Sequence, residues 1–191
     1  RDPARHVALF EERQDLPVDD QEGQPVGQDR LKPVTHLDPH LALVRRPVGV
    51  LTDSGCDLSE EIIRAHGIQV VPLMLMDGDT AYRDGVDITA EQFHEMMVSQ
   101  EALPTTSQPS PGSFVEGFTR AAEDAEQVIG VVLSSSLSGT FASAEAALTL
   151  EPDLPVYLSD SLGTSLLQGL LVLKAAELAE LATPPSDIVA E

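Results

Sequence analysis

The sequence contains a single cysteine, no tryptophan and few basic residues. Cys56 has no second cysteine to pair with, so the chain can form neither an internal disulfide nor a cysteine-rich metal site. Apolar runs are also short: the best of them, residues 166–173, is broken by Gln168 and Gly169, which excludes a membrane-spanning helix. A lone cysteine suits a reducing compartment, and we expect a cytoplasmic location.

Positive charge is scarce. The 191 residues include 11 lysines and arginines against 32 aspartates and glutamates, which gives a net charge of −21 at pH 7. A surface this negative repels phosphate backbones and anionic lipid headgroups, so we expect no nucleic-acid partner and no stable membrane insertion. The first residues lack the apolar centre of a signal peptide, and the chain begins with Arg1, which indicates a cut or excerpted sequence.

Familiar catalytic motifs are missing as well. The sequence has no GxxxxGK(S/T) phosphate loop, no GxGxxG dinucleotide loop and no GxSxG nucleophile turn. His66 and His94 lie within predicted helices, so a Ser–His–Asp arrangement has no base at the strand ends. Cys56 has no neighbouring histidine or lysine to activate it as a nucleophile.

The chain divides near residue 47. Residues 1–47 combine prolines, histidines and most of the basic residues with little helical or strand periodicity, so we interpret them as a linker or a remnant of a preceding segment, poorly ordered. His36 and His40 have the spacing of two metal ligands on a helix, but nearby prolines argue against a helix there. Residues 48–191 have clear periodicity and form the predicted folded unit.

Strands and helices alternate from residue 48 onward. Apolar runs predict strands over 48–52, 68–76, 127–133 and 156–159, with Pro72 marking an edge or a bulge. Two helices are predicted after the capping boxes that begin at Asp57 and Thr89, and the first of these helices ends at Gly67. A third helix is predicted from Pro111, with an apolar stripe of Phe114, Phe118, Ala121, Ala122 and Ala125. Two more helices are predicted over residues 140–150 and about 164–182. This alternation predicts an α/β fold with a mostly parallel sheet and helices on both faces.

Small polar clusters follow three of the predicted strands. They are residues 52–55, 134–140 and 159–161, and a further hydroxyl cluster, residues 105–108, lies in a loop before a helix. Because ligands of open α/β sheets bind outside the carboxyl ends of the strands, we expect these groups to line a site. Hydroxyl groups and free amides at helix starts can hold an anion without a cation, which suits one carboxylate better than a triphosphate. The alternative is that these residues are only helix caps and turn formers.

One strand end also permits an enzymatic interpretation. Asp53 directly follows a buried strand, as does the nucleophilic aspartate of haloacid-dehalogenase-like phosphatases. Those enzymes need a second acid two residues later, where this chain has Gly55. A small phosphotransferase or hydrolase that uses Asp53 therefore stays as the alternative function.

Six segments together resemble the N-terminal half of DegV-type fatty-acid-binding proteins. In chain order they are TDSGCDL (52–58), VPL (71–73), YRDGVDIT (82–89), LPTTSQPSPG (103–112), LSSSLSGT (133–140) and DS (160–161) ahead of QGLLVL (168–173). The strings TTSQPS and SSxLSGT are the most specific. The resemblance covers residues 48 to about 182 and does not extend to residues 1–47.

The resemblance implies a binding protein rather than a catalyst. A long-chain fatty acid such as palmitate would be its ligand, with the carboxylate held by Thr106 and Ser138 and with Ser107 and Ser135 as possible second contacts. No catalytic residue, metal or cofactor is expected. The implied partner is a fatty acid kinase catalytic subunit, which resembles dihydroxyacetone kinases and phosphorylates the exposed carboxylate. Members of this family continue into a second α/β lobe that supplies much of the acyl tunnel, and we expect that lobe to be largely absent here.

Overall fold

The structure is a computed structural model that describes residues 45–99 and 103–190. The interpretation of residues 1–47 as a linker, with His36 and His40 in a loop, lies outside the described residues except at its end, where Arg46 and Pro47 already belong to the first strand. The elements are β1 (Arg46–Asp53), a 3-10 helix (Ser54–Cys56), α1 (Glu60–His66), β2 (Gln69–Val71), β3 (Met74–Asp77), β4 (Thr80–Arg83), α2 (Ala90–Ser99), β5 (Thr105–Ser107), α3 (Pro111–Glu123), β6 (Ala125–Val132), α4 (Thr140–Leu150), β7 (Val156–Asp160), α5 (Leu166–Glu180) and α6 (Pro185–Ala190).

The main sheet is parallel, with the strand order β2-β1-β6-β7. Side chains of α3 and α4, including the fully buried Phe114 and Phe118, pack on one face of the sheet. Val172 and Ala176 of α5 and Ile188 of α6 pack on the other face. The predicted α/β class, with a parallel sheet and helices on both faces, is therefore confirmed.

The predicted strand over residues 68–76 is wrong, because the chain forms two strands there. Residues 69–71 pair with β1, whereas residues 74–77 belong to a second, antiparallel sheet. Pro72 separates them because it has no N–H to donate to a ladder. The N–H of the next residue, Leu73, donates to the Ser54 hydroxyl at 3.0 Å, so it takes no part in either sheet.

The second sheet has the strand order β4-β3-β5 and was not predicted as a sheet. Residues 105–107, expected to form a loop, are strand β5 and pair with β3, with Thr106 opposite Leu75. All three residues of β5 are exposed, so the segment has no apolar alternation that could have indicated a strand. The strand forms because β5 pairs with β3 in the tertiary structure, and the periodicity of its own sequence does not indicate this pairing.

Helix ends follow the predicted signals with three corrections. Thr89 and Gln92 form the predicted reciprocal capping box, at 2.9 and 3.3 Å. The cap of α1, however, is Ser59 and not Asp57, since the Ser59 hydroxyl accepts from the Ile62 N–H. Ala125, predicted on the helical stripe, begins β6. The last predicted helix, over about 164–182, is α5, which ends before Ala182 at a positive φ of 56°, and the helix α6 that follows was not predicted.

The loop after β4 contains an ion pair with a testable pH dependence. Asp87 accepts from the Arg83 backbone N–H at 2.8 Å, from Nε at 2.9 Å and from Nη2 at 2.7 Å. The hydrogen bonds from the Arg83 side chain, followed by the one from its backbone, lower the pKa of Asp87 to about 2. A carboxyl whose pKa is lower in the folded state stabilises the fold above its unfolded pKa, and this contribution is lost as the pH falls toward the folded pKa.

We therefore expect the Asp87→Asn variant to be less stable than the wild type at neutral pH. The difference in free energy of unfolding should shrink as the pH falls from about 4 to about 2. Urea unfolding of both proteins at several pH values measures this difference. Asp153→Asn, at an exposed position, is the control and should give a small difference at every pH. A difference for Asp87→Asn that does not vary with pH would contradict the assignment.

Candidate functional site

The carboxyl ends of β1, β6 and β7 lie at one edge of the parallel sheet, as their shared direction requires. The chain leaves β1 for β2 on one side and leaves β6 for β7 on the other, so the strand order reverses between β1 and β6. A reversal of this kind opens a crevice between the loops that follow the two strands, which is where ligands of open α/β sheets bind. The predicted polar clusters follow these same strands.

Asp53 occupies the end of β1 and is fully buried. One carboxylate oxygen accepts from the Gly55 N–H at 2.9 Å and the other from the Leu133 N–H at 2.7 Å, so Asp53 joins the loops after β1 and β6. Burial raises the pKa of Asp53, and these backbone hydrogen bonds oppose the rise. Beside it, Gln168 Nε2 donates to the Thr52 hydroxyl at 3.1 Å.

This geometry disfavours the enzymatic alternative at Asp53. A nucleophile must reach its substrate, whereas Asp53 has no exposed surface and uses both oxygens to bind backbone N–H groups. Cys56 is 2% exposed, and burial raises the pKa of its thiol, which lowers the fraction of reactive thiolate at neutral pH. Both residues have the surroundings of structural groups.

An open cleft of about 430 Å³ lies between the second sheet and the loops after β6 and β7. Its described lining residues are Leu73, Thr106, Ser107, Gln108, Leu133, Leu137, Ser138, Gly139 and Thr164. Thr106 comes from β5 and Ser138 from the loop before α4, so the cleft brings together a hydroxyl group of the second sheet and one of a loop that follows the parallel sheet. None of these lining residues carries an ionisable side chain.

Ser138 is held by a residue that the sequence analysis did not single out for the site. The Ser138 hydroxyl lies 2.9 Å from the Thr140 hydroxyl and accepts from the Thr140 N–H at 3.2 Å. Thr140 is fully buried in the first turn of α4. When the Thr140 hydroxyl donates, Ser138 accepts two hydrogen bonds and its own proton is free to point into the cleft. The sequence signal was present, since Thr140 ends the SSxLSGT string, but its role depends on these distances.

The two candidate second contacts differ in position. Ser107 lines the cleft, whereas Ser135 is not among the lining residues. The Ser135 N–H donates to both oxygens of Asp160 at 3.2 Å, and the Leu162 N–H donates to one of them at 2.9 Å. Burial acts to raise the pKa of Asp160, but hydrogen bonds from Ser135 and Leu162 outweigh it and lower that pKa. Ser135 thus helps to fix the loop after β6 to the end of β7.

Next to the cleft, the start of α5 presents leucines to solvent. Thr164 lines the cleft just before α5, and Leu162, Leu166 and Leu170 are 77%, 68% and 55% exposed. Leu167 and Leu171 are also exposed, whereas the outward positions of the second half of the helix are Lys174, Glu177 and Glu180. Five exposed leucines within residues 162–171 are a denser group than the singly scattered apolar side chains of an ordinary protein surface.

No helix in residues 45–99 or 103–190 is long and apolar enough to cross a membrane. Among the same residues, no group of three or more histidine, cysteine, aspartate or glutamate side chains is arranged to hold a metal ion.

The family model described as "Uncharacterised protein, DegV family" matches residues 47–191. The chain belongs to the DegV family. Among curated DegV relatives, a DegV domain-containing protein of Clostridium perfringens is 40% identical over 134 residues, which cover 70% of this chain and 48% of the relative. Protein DegV of Bacillus subtilis is 37% identical over 145 residues, which cover 75% of this chain and 52% of the relative.

Solved DegV structures share the fold. The crystal structure of DegV, a fatty acid binding protein from Bacillus subtilis, has a TM-score of 0.71 at 36% identity, covering 76% of this chain and 52% of that one. A fatty-acid-binding DegV family protein from Thermus thermophilus has a TM-score of 0.68 at 35% identity, covering 75% and 51%. A stearic-acid-binding protein from Eubacterium ventriosum has a TM-score of 0.66 at 31% identity, covering 75% and 51%. The chain spans about half the length of the DegV relatives that it matches.

Proposed function

We propose that this DegV protein binds one long-chain fatty acid and holds its carboxylate in the cleft through Thr106 and Ser138. The observation that carries the proposal is the cleft itself, because the hydroxyl group of Thr106 from the second sheet and that of Ser138 from the loop after β6 line it without any ionisable neighbour among the lining residues. Solved relatives with the same fold are described as fatty-acid-binding proteins, which supports the same ligand class here.

The chemistry of the cleft matches a carboxylate head group. Each hydroxyl donates one hydrogen bond, and hydrogen bonds to a charged acceptor are stronger than those between neutral groups. The lining includes Gly139, the N-cap of α4, which has no side chain to accept from the N–H groups of the first helical turn; of these, the Thr140 N–H donates to the Ser138 hydroxyl. Such N–H groups favour an anion nearby. Leu73, Leu133 and Leu137 provide apolar contacts within the same cleft.

Most of the binding free energy would come from the acyl chain. A chain of the length of palmitate has more than a dozen methylene groups, and each contributes about 0.8 kcal/mol when it leaves water. A hydrogen bond at the head group contributes about 0.5–1.5 kcal/mol, or about 1.5–3 kcal/mol when one partner is charged. Thr106 and Ser138 would therefore orient the ligand, while apolar surface would set its affinity.

The same proposal includes a partner for the chemistry. A fatty acid kinase catalytic subunit, of the type similar to dihydroxyacetone kinases, would phosphorylate the bound carboxylate in the cytoplasm. The sequence supports this division because it lacks a GxxxxGK(S/T) phosphate loop. The buried, doubly hydrogen-bonded Asp53 also supports a binding role over a catalytic one.

Mass spectrometry of organic extracts tests the ligand. The purified chain is extracted beside Protein DegV of Bacillus subtilis, which serves as the positive reference. One fatty acid per chain in both samples supports the proposal. The proposal for this protein would be contradicted by the following result: the reference retains fatty acid, whereas this chain is folded but neither retains fatty acid nor binds added palmitate.

Removing either head-group hydroxyl should weaken binding modestly. We expect Thr106→Ala and Ser138→Ala each to raise the Kd for palmitate about 10-fold, the lower end of the loss of one hydrogen bond to a charged group, and to reduce phosphorylation in a kinase-coupled assay more. Thr105→Ala is the matched control, because Thr105 neighbours Thr106 on β5 but does not line the cleft. Equal, large losses of binding and turnover would contradict the division between affinity and orientation.

A further inference from the structure

Gln108 lies at the same cleft and has no assigned role. It follows β5 directly, with Thr106 two residues earlier on the strand, and it lines the cleft together with Ser138 and Gly139. In the part of the chain that the structure describes, its side-chain amide forms no hydrogen bond with another residue. The amide donors therefore remain available to a ligand.

The position of this amide is set by the absence of a side chain at Gly139. A Cβ atom at Gly139 would lie 3.0 Å from Gln108 Nε2, 3.1 Å from Cδ and 3.4 Å from Oε1. The three similar distances place the whole amide group against the Gly139 backbone, at the start of α4. Gly139 itself has a φ of −73°, which every residue type adopts, so its backbone conformation does not require glycine. What restricts the residue type at position 139 is therefore the space that the Gln108 amide occupies.

A carboxylate in this cleft has more acceptor positions than the hydroxyl groups of Thr106 and Ser138 can fill. Its two oxygens together accept about four hydrogen bonds, and each hydroxyl donates one. The Gln108 amide can add two N–H donors without adding a charge, next to Ser138 and on the Gly139 side of the cleft. Its planar shape also fixes the direction of those donors better than a rotating hydroxyl does.

We infer that Gln108 is a positioning residue that donates from Nε2 to the carboxylate of the bound fatty acid, and that Gly139 is small so that the amide can lie there. This inference rests on the proposed function. It assigns Gln108 a role in head-group recognition and none in contact with the acyl chain.

The test compares two ligands with the same chain and different head groups. Kd values for palmitate and for 1-hexadecanol are measured with the wild type, Gln108→Ala, Gly139→Ala and the double variant, after circular dichroism and urea unfolding establish that each is folded. We expect Gln108→Ala to raise the Kd for palmitate about 3- to 10-fold and to leave that for hexadecanol nearly unchanged. Gln108→Glu, which replaces the donor by a negative charge, should weaken palmitate binding further.

The double variant separates an effect of the amide from an effect on the helix. If Gly139→Ala acts by displacing the Gln108 amide, the double variant should bind palmitate as Gln108→Ala does. Full additivity of the two changes would overturn the role given to Gly139. Equal losses for palmitate and hexadecanol in Gln108→Ala, or no loss for palmitate, would overturn the role of Gln108. A wild type that binds neither ligand would instead overturn the proposed function.

Discussion

Replacing Asp53 by asparagine is expected to destabilise the fold by about 1–3 kcal/mol, the cost of a buried hydrogen-bonding group left without a partner. Asparagine keeps one oxygen for one of the two N–H groups that Asp53 now bonds, those of Gly55 and Leu133. Its NH₂ group would face the other N–H, so two donors would meet in a fully buried place. Asp53→Ala removes both acceptors, and we expect it to cost about 2–6 kcal/mol for the two unsatisfied groups.

Urea unfolding at pH 7 measures both variants. Asp153→Asn is the matched control, since Asp153 is exposed, and it should change the free energy of unfolding by less than about 0.5 kcal/mol. The result also distinguishes the two functions considered for this chain. A nucleophile at Asp53 predicts a stable asparagine variant that has lost a magnesium-dependent activity, whereas a structural carboxylate predicts lost stability. An Asp53→Asn variant as stable as the wild type would contradict the structural role.

Gly169→Ala is expected to destabilise the protein by about 3 kcal/mol, in the upper part of the usual range for overpacking. A Cβ atom at Gly169 would lie 2.5 Å from the backbone carbonyl oxygen of Cys56 and 3.2 Å from Leu58 Cδ2. A carbonyl oxygen of the main chain cannot rotate away, so α5 and the 3-10 helix after β1 would have to separate. That movement would loosen the buried contacts of Val172 and Ala176 with the sheet.

Gly112→Ala is the matched control for this change. Gly112 lies in the first turn of α3, and the nearest atom to its added Cβ would be the Ser110 hydroxyl oxygen at 3.7 Å. Without a clash, the higher helix propensity of alanine should stabilise the protein by about 0.5–1 kcal/mol. Thermal and urea unfolding of both variants check the two signs. A Gly169→Ala protein as stable as the Gly112→Ala protein would show that the close approach of α5 does not constrain the fold.

The elements that could be predicted from the sequence are those whose local signals and packing agree. Helix α4 has the predicted bounds, Thr140–Leu150, and Pro111 begins α3 with Phe114 and Phe118 buried on the sheet. The second sheet could not be predicted in the same way. Its strands are short, and β5 is polar and exposed, so its structure comes from pairing with β3 instead of from its own periodicity.

The candidate site was accessible to sequence reasoning only in part. Motif resemblance selected Thr106 and Ser138, and both line the same cleft. Their role in holding a carboxylate stays a prediction. The contributions of Thr140 and Gln108 could not be inferred from strings of letters, because they depend on a hydroxyl pair at 2.9 Å and on an amide against a glycine. Ser135 matched the motif equally well, yet its backbone binds Asp160.

The attachment of the second sheet has a thermodynamic consequence for the proposed site. The Ser54 hydroxyl, at the end of the parallel sheet, bonds the Leu73 N–H just before β3, and Thr106 lies on the strand that pairs with β3. A ligand that contacts both Thr106 and Ser138 would act as a noncovalent cross-link between the second sheet and the loop that follows β6 of the parallel sheet. Any arrangement that separates the sheets breaks the set of donors, and apparent affinity falls with the population of the joined state. Head-group affinity would thus report on the mutual order of two sheets as well as on the contacts within the cleft.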